Sequence, residues 1–369
     1  MFLSRRKEVM KMNKLRIAII GQGRSGRDIH GAFLQTEAAK ERFEVAAIVE
    51  EIPSRAERAR KEFSCPVFPS YTDLFTSGIE LDLVVNSSFS YQHAPISIDL
   101  LNHGYNVLCE KPVCRDLAEF DAITAAAEKN GRMFAVFQQS RFAPYYMQVR
   151  KVIDSGVLGR LIDVDIRFNG YSRRWDWQTL QSFNGGSLRN TGPHPLDQAL
   201  DILGDVDVMP SVYCKMDRVN TFGDAEDYCK LILTMPDKPL IDLTISCCDA
   251  YPTCTYKIHG SKGGLKGNMK HIDWKYFDTE TAPEQHLIRE SISEPDGTPA
   301  YCHEKLSWTE ESWDGDPNGA FDSAVEAYYS TIYDHLVNGK PLVVTLPEVR
   351  RQVAVYVEAH RQNPMSTID

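Results

Sequence analysis

The first 140 residues alternate apolar runs with charged segments. Five runs have the length of β-strands, and the charged, alanine-containing stretches that separate the first of them are typical of helices. The runs are LRIAII (15–20), FEVAAIVE (43–50), LDLVVNSS (81–88), YNVLCEKP (105–112) and RMFAVFQQ (132–139). Strands alternating with helices form parallel βαβ units. The pattern therefore predicts an α/β fold whose first half is a doubly wound parallel sheet.

The rest of the chain has a different pattern. Its β-rich runs fit an antiparallel sheet with one exposed face, and two amphipathic helices follow near the end. The strand runs include LIDVDIRF (161–168), DYCKLILTMP (227–236), LIDLTISCCD (240–249) and CTYKIHG (254–260). A chain of 369 residues exceeds one ordinary core. We expect two domains, 1–137 and 138–369, with a flexible leader at 1–13.

Composition excludes several classes of function. The net charge is −10 and no basic run occurs, which argues against a nucleic-acid partner. No run of eighteen apolar residues predicts a membrane span. The basic start has no apolar core of a secretory signal, and the nine cysteines form no C-x-x-C pair. These features predict a cytoplasmic protein with reduced thiols and no metal site.

A glycine-rich motif, GQGRSG, follows the first apolar run. In a G-x-G-x-x-G loop between strand and helix, the first glycine makes the turn and the second admits a pyrophosphate to the backbone. The third lets the helix, whose positive end faces the phosphates, pack closely. The alternative is that the glycines serve turn geometry alone. The predicted cofactor-binding loop comprises Gly21, Gln22, Gly23, Arg24, Ser25 and Gly26.

An acidic residue closes the second apolar run. Glu50 is placed to accept hydrogen bonds from the adenosine ribose of a dinucleotide. A carboxylate there repels a 2′-phosphate, so the sequence favours NAD over NADP. A solvated strand end, with Glu51 in the ribose role, is the alternative.

The fourth run ends in CEKPV. A lysine at the carboxyl end of a parallel strand points into the crevice where such sheets bind ligands. Pro112 restrains the backbone after Lys111. We therefore predict that Lys111 is functional, with an exposed strand end as the alternative.

A histidine lies between two prolines in GGSLRNTGPHPLDQALDILG. The spacing of apolar residues predicts a helix with Pro195 at its first position and His194 at or before the N-cap. The positive helix end would keep His194 neutral and able to accept a proton, while Lys111 stabilises an oxyanion. A buried capping histidine is the alternative. Asp197, in the first turn, is expected to cap backbone donors.

These segments together resemble the Gfo/Idh/MocA family of glucose–fructose oxidoreductase and inositol dehydrogenase. The likeness rests on IAIIGQGRSG, HGYNVLCEKPV, FQQSRFAPYYMQVRKVIDSGVLGRLIDV, the histidine motif and YKIHGSKGGLKG, in this order. It implies an N-terminal Rossmann domain and a C-terminal α/β domain with a large, mostly antiparallel open sheet. It also implies NAD(P)-dependent redox chemistry at a carbinol carbon of a sugar or cyclitol.

The resemblance extends to particular residues. It implies that Lys111 touches both the nicotinamide region and a substrate hydroxyl, and that the Lys111–Pro112 bond is cis. His93 matches a histidine that shapes the cofactor pocket. The further positions implied for the cofactor are Ser87, Glu110 and Pro112, and those implied for the substrate, at the domain junction, are Gln139 and Arg141.

One position departs from the family pattern. Asn190 stands where members often carry aspartate, and asparagine can orient a histidine or bind a hydroxyl but holds no negative charge. We include Asn190 among the catalytic candidates with Lys111 and His194. The departure leaves open a catalytically silent NAD-binding sensor or partner-binding protein, and a dehydrogenase of a non-carbohydrate substrate is a further alternative.

The segment FNGYSRRWDWQ (168–178) interleaves aromatic residues with arginines. Flat rings suit the C–H faces of a sugar and charges suit its hydroxyls, so Tyr171, Arg174 and Trp175 are substrate-binding candidates. A loop that packs its own aromatics is the alternative. An open sheet face often becomes an oligomer interface, so we expect a homodimer or homotetramer through the C-terminal sheet.

Overall fold

The computed structural model describes residues 14–316 and 320–368, so the predicted leader lies outside the described residues. Two sheets and ten α-helices form the described chain. The strands are β1 Leu15–Ile20, β2 Phe43–Val49, β3 Val67–Phe68, β4 Leu83–Asn86, β5 Val107–Cys109, β6 Phe134–Val136, β7 Leu161–Asn169, β8 Ser211–Asp217, β9 Tyr228–Thr234, β10 Leu240–Ser246, β11 Tyr256–Gly260, β12 Gly263–Gly267, β13 His271–Phe277 and β14 Trp308–Asp314. The helices are α1 Ala32–Leu34, α2 Glu37–Lys40, α3 Pro53–Glu62, α4 His93–Asn102, α5 Leu117–Asn130, α6 Pro144–Asp154, α7 Ser187–Asn190, α8 Pro193–Leu203, α9 Ala320–Asn338 and α10 Leu346–Gln362.

The first sheet is parallel and doubly wound, as predicted. Its order is β3-β2-β1-β4-β5-β6, with every neighbouring pair parallel. The chain reverses direction across the sheet between β1 and β4, and ligands bind at such a switch point beyond the carboxyl ends of the strands. Strand β3 has only two residues, too few to give a periodic pattern, and the sequence did not predict it.

The helix after the glycine loop begins with a π-helical segment. Residues Arg24–Gly31 have π-helical hydrogen bonding and continue directly into α1. The helical stretch expected between the first two strands is thus present in part, and a separate α2 follows, capped by Thr36. The positive end of the opening segment faces the carboxyl ends of β1 and β4.

The second sheet has eight strands in the order β14-β13-β12-β11-β7-β10-β9-β8. Only the central pair β7 and β10 is parallel, and the other neighbours are antiparallel. One face carries the buried residues of β7, β9 and β10, such as Val164, Leu231 and Leu243, and packs against α8. This confirms a large, mostly antiparallel sheet.

The last two helices belong to both hydrophobic cores. Tyr329 of α9 and Val353 of α10 are fully buried in the core of the first sheet, whereas Ala324 and Tyr356 of the same helices lie in the core of the second. The first sheet therefore packs against the far end of the chain. This contact fixes the two sheets relative to each other, and the cleft between them carries the candidate site.

Arg141 lies inside this junction and not in the cleft. Its guanidinium donates to Asp197 at 2.7 and 2.6 Å, and to Glu348 at 2.9 Å. Asp201, which also accepts from Tyr146, lies 3.3 Å away. The sequence predicts that Arg141 binds substrate, but the structure places it away from the cleft and pairs its guanidinium with three carboxylates. Asp197 likewise binds Arg141 and does not cap backbone donors.

We predict that Arg141→Met destabilises the protein strongly. It leaves Asp197 buried without its counter-ion, which costs about 3–5 kcal/mol of unfolding free energy. Arg350→Ala is the control, because Arg350 pairs with Asp121 at an exposed position and such pairs contribute less than about 1 kcal/mol. Urea denaturation followed by circular dichroism measures both. Equal losses in the two variants would contradict the buried network.

Candidate active site

A cavity of about 810 Å³ lies at the switch point of the first sheet. Its wall includes the carboxyl ends of β1, β2, β4 and β5, the start of α8, and Phe321 of α9. The sequence-predicted residues on this wall are Gly21, Gly23, Arg24, Ser25, Glu50, Ser87, His93, Glu110, Lys111, Gln139, Arg174, Asn190 and His194. Residues from both halves of the chain thus meet around one space.

The glycine loop closes one end of the cavity. A Cβ on Gly26 would lie 1.9 Å from the Gly21 carbonyl oxygen, so only glycine lets the helix approach the loop. At Gly23 a Cβ would meet only the Arg55 guanidinium, at 3.7 Å. The space over Gly23 is therefore open to the cavity, as a phosphate-binding backbone requires.

Glu50 is held rigidly beside this loop. Its carboxylate accepts hydrogen bonds from the amides of Gln22 at 2.6 Å and Ile52 at 2.8 Å. Gln22 itself is buried and does not line the cavity, so its part is to fix Glu50 through the backbone. Glu51 also lines the cavity, which keeps it as an alternative ribose ligand.

Lys111 spans the cleft. Its peptide bond to Pro112 is cis, as the resemblance implied, and its Nζ donates to the backbone carbonyl of Asn190 at 3.0 Å. Burial lowers the pKa of the Lys111 amine. The negative charge of Glu110 opposes that effect, and the positive charges of Arg24 and Arg174 add to it.

Behind Lys111 lies a buried chain of polar groups that the sequence did not reveal. The Glu110 carboxylate accepts from the Lys111 amide at 3.0 Å and contacts His30 Nε2 at 3.2 Å. His30 Nδ1 contacts the Tyr329 hydroxyl of α9 at 2.8 Å. Burial would raise the pKa of Glu110, but the hydrogen bond and charge of His30, followed by the charge of Lys111, lower it to about 2. The carboxylate beside Lys111 is therefore ionised.

His93 shapes the backbone and has no free nitrogen. Its Nδ1 lies 2.7 Å from the Pro112 carbonyl oxygen and its Nε2 lies 3.1 Å from that of Ser88. Burial lowers the pKa of His93, and because a neutral ring has one N–H, it donates to only one of these two carbonyls at a time. Pro112 is buried and does not line the cavity; its contribution is the carbonyl that His93 binds.

His194 stands at the second position of α8, because the helix begins two residues earlier than predicted, at Pro193. Nδ1 is enclosed by protein without a hydrogen-bond partner. Nε2 is not enclosed, so it is the nitrogen left to a ligand. Burial lowers the pKa of His194 to about 3, and the positive charge of Lys111 contributes. The ring is therefore neutral, as predicted, but the main cause is burial and not the helix end.

Asn190 ends α7 and faces a polar loop. Its side-chain amide donates to Gln178 Oε1 and accepts from Gln178 Nε2, each at 3.4 Å. Gln178 also accepts from Arg174, and the Arg174 guanidinium donates to Asp176 at 2.9 and 2.8 Å. All four side chains line the cavity, so this network presents amide and guanidinium groups to a ligand.

Two of the predicted aromatic residues lie elsewhere. The side chains of Tyr171 and Trp175 are 61% and 76% exposed and are not part of the cavity wall. In their place the wall contains Trp177, which packs edge-on against Phe89 at 5.1 Å. An irregular loop has no periodicity from which the inward-facing ring could be read. Phe321, another wall residue, comes from the far end of the sequence.

The described residues also define what the site does not contain. Across residues 14–316 and 320–368, no three His, Cys, Asp or Glu side chains are grouped so as to hold a metal ion. In the same ranges, no helix has the length and apolar character needed to cross a membrane.

Comparison with known families agrees with this geometry. The Gfo/Idh/MocA family model described as "Oxidoreductase family, NAD-binding Rossmann fold" matches residues 15–138. The model of the family's C-terminal domain matches residues 146–266. The chain belongs to the Gfo/Idh/MocA family of oxidoreductases. The resemblance inferred from the sequence is thereby confirmed.

Individual relatives are distant. An uncharacterized oxidoreductase of Schizosaccharomyces pombe is 27% identical over 234 residues, and the alignment covers 62% of either chain. Inositol 2-dehydrogenase of Rhizobium meliloti is 25% identical over 281 residues, covering 74% of this chain and 82% of that one. The crystal structure of the WlbA dehydrogenase from Bordetella pertussis in complex with NADH and UDP-GlcNAcA has 20% identity and a TM-score of 0.73, covering 96% and 99% of the two chains. This structural likeness shows the fold.

We predict that His194 stays neutral throughout the range of pH 5 to 9. Its pKa of about 3 lies well below that range, so the imidazole nitrogens should show no titration in ¹⁵N NMR spectra. His271 is an internal control, because hydrogen bonds to Asp314 and Asp273 raise its pKa. It should gain its proton as the pH falls through a value above 6.5. A midpoint for His194 near that of His271 would contradict the enclosed site.

Proposed function

We propose that this protein is an NAD-dependent oxidoreductase that acts on a secondary hydroxyl of a sugar, cyclitol or related polyol. The observation that supports it best is the pairing of Lys111 and His194 on one cavity wall. The amine and the uncharged imidazole approach from different halves of the chain. The same cavity contains the glycine loop and Glu50.

The residues present fit a dinucleotide. The open backbone at Gly23 and the positive helix end suit a pyrophosphate, and the fixed Glu50 carboxylate suits two ribose hydroxyls. Because that carboxylate would repel a 2′-phosphate, we propose NAD over NADP. When bound, NAD supplies the acceptor for a hydride.

The protein's own contribution concerns the proton and the charge of the substrate oxygen. An alcohol that loses hydride must also lose its hydroxyl proton. Neutral His194 can accept that proton at Nε2, and the Lys111 ammonium can stabilise negative charge on the oxygen. Lys111 is oriented by its hydrogen bond to the Asn190 carbonyl, and Glu110 beside it favours its charged form.

The polar wall of the cavity supports the proposed class of substrate. Gln178, Asn190 and Arg174 offer amide and guanidinium donors suited to several hydroxyls, while Trp177 offers an apolar ring. The names of an inositol 2-dehydrogenase relative and of a structural neighbour with bound UDP-GlcNAcA are in keeping with a carbohydrate or cyclitol. A cofactor-reduction screen over polyols and aldoses tests this class. NAD binding without turnover of any compound would favour the sensor alternative that Asn190 suggests.

We also propose that the protein forms a homo-oligomer through the open face of its second sheet and works in the cytoplasm. Tyr213 on β8 is 61% exposed, and Lys230 and Asp242 pair across β9 and β10 at 2.7 Å on the same face. The nine cysteines are free thiols, which suits a reducing compartment.

We predict that Lys111→Met abolishes turnover while the dissociation constant for NADH changes by less than about tenfold, or about 1.4 kcal/mol. The substitution keeps an apolar chain of similar length but removes the charge that stabilises the substrate oxygen. Steady-state kinetics and NADH fluorescence titration measure the two quantities. Lys129→Met, at an exposed position on α5, is the control and should behave as wild type. Full activity of Lys111→Met would show that the amine has no part in the chemistry.

We predict that Glu50→Ser combined with Glu51→Arg shifts cofactor preference toward NADPH by at least about tenfold. The double change removes the carboxylate that opposes a 2′-phosphate and adds a guanidinium that can bind it. Fluorescence titrations with NADH and NADPH give the ratio of dissociation constants. Glu44→Ser, an exposed change on β2, should leave the ratio unchanged. If the double variant also keeps the wild-type ratio, the ribose contact lies elsewhere.

A further inference from the structure

A buried carboxylate, that of Glu226, lies against the start of α7 and takes no part in the chemistry proposed above. Glu226 precedes β9 and is 3% exposed. Its Oε1 accepts a hydrogen bond from the Leu188 amide at 2.9 Å, and its backbone carbonyl accepts one from the Ser187 amide at 2.8 Å. Both donors belong to the first turn of α7. Glu226 therefore binds the start of the helix whose last residue is Asn190.

The chain makes room for this carboxylate. Gly186, directly before α7, has a φ of 105°, and a Cβ there would lie 2.4 Å from Glu226 Oε2. Any other residue at this position would therefore displace the carboxylate or the start of α7. The glycine and the glutamate form one packing unit.

Glu226 and Gly186 are connected to Lys111 through α7. Helix α7 has four residues, so a shift at its first turn also moves its last. The Asn190 carbonyl at that end accepts the hydrogen bond from Lys111 Nζ. A second cavity, of about 40 Å³, touches Glu226, Asn190 and Gln178. It has room for water, which gives the buried carboxylate a means of exchanging protons.

We propose that Glu226 is a positioning residue whose carboxylate holds α7 in the orientation that aligns the Asn190 carbonyl with Lys111, and that its ionisation tightens this hold. The proposal rests on the proposed function for its catalytic consequence. The ionised carboxylate accepts the α7 amide more strongly than the neutral acid does, because charge-assisted hydrogen bonds are stronger.

The surroundings set the pH at which this change occurs. Burial raises the pKa of Glu226 to about 7, and the charge of Asp227 adds to this effect. Hydrogen bonds from backbone amides and the charge of Arg189 on α7 lower the pKa but do not outweigh burial. His360 of α10 lies 3.9 Å from Oε2, and burial lowers its pKa to about 4, so it is neutral near pH 7. The hydrogen bond with Cys214, followed by burial, raises the pKa of Cys229 on β9, which keeps that thiol neutral.

The first experiment compares pH profiles. In the wild-type enzyme, kcat for polyol oxidation should rise as the pH increases through about 7. Glu226→Gln should lose this rise and have a kcat about threefold to tenfold lower at pH 8, with KM for NAD unchanged within about twofold. Asp224→Asn is the matched control, because Asp224 is equally buried but accepts from the amides of Gln181 and Ile368, away from α7. It should keep the wild-type profile. A wild-type profile in Glu226→Gln would overturn the proposal.

A second experiment needs no turnover and uses the wild-type chain. In protein labelled with ¹³C at glutamate and lysine, the Glu226 carboxyl should titrate near pH 7, and the Lys111 resonance should shift with the same midpoint. Titration of Glu226 below about pH 5, or a Lys111 resonance insensitive to it, would overturn the proposal even if Glu226→Gln does not fold. If no polyol is oxidised, the proposed function fails, while these two resonances still decide the role of Glu226.

Discussion

The site depends on one contact across the cleft, the hydrogen bond from Lys111 Nζ to the Asn190 carbonyl. It joins the carboxyl end of β5, in the parallel sheet, to the end of α7, which packs against the antiparallel sheet. A flexible lysine has about 2 kcal/mol of rotamer entropy to lose when it is ordered, and this contact orders it before any ligand arrives. Catalytic groups are most effective when they are held in their working geometry beforehand. The hydrogen bond between Lys111 Nζ and the Asn190 carbonyl therefore joins the two halves of the chain at the site.

Buried charge is arranged around that contact in a consistent way. Glu110 is kept ionised by His30, and Lys111 by Glu110, so each charge has a partner close by. For His194, burial and the positive charge of Lys111 outweigh the negative charge of Glu110, so the ring is neutral. The same desolvation that would destabilise an isolated carboxylate thus sets the protonation state of His194.

The geometry of the cleft is maintained by the packing of elements far apart in sequence. Helices α9 and α10 contribute to both cores, and Arg141 connects the start of the second half to α8 and α10 through three carboxylates. Gln352 of α10 donates to the Pro193 carbonyl at 2.7 Å, immediately before His194. The position of the imidazole is therefore set by the C-terminal helices as well as by its own. This is why a change at the domain junction is expected to affect stability and the site together.

The sequence alone determined the parallel sheet, and it singled out the glycine loop, Glu50, Lys111 and His194, which the structure places around one cavity. Each depends on local features: apolar runs of strand length, a glycine spacing, and residues at strand or helix ends. It could not show that Arg141, Tyr171 and Trp175 lie off the cavity wall, because residue type does not show which way a side chain at a junction or in an irregular loop points. It also could not reveal His30, Glu226 or Phe321, which reach the site only through contacts between distant segments. Local pattern decides which elements form and which residues end them. Tertiary packing alone decides which of those residues are desolvated, and hence which carry charge.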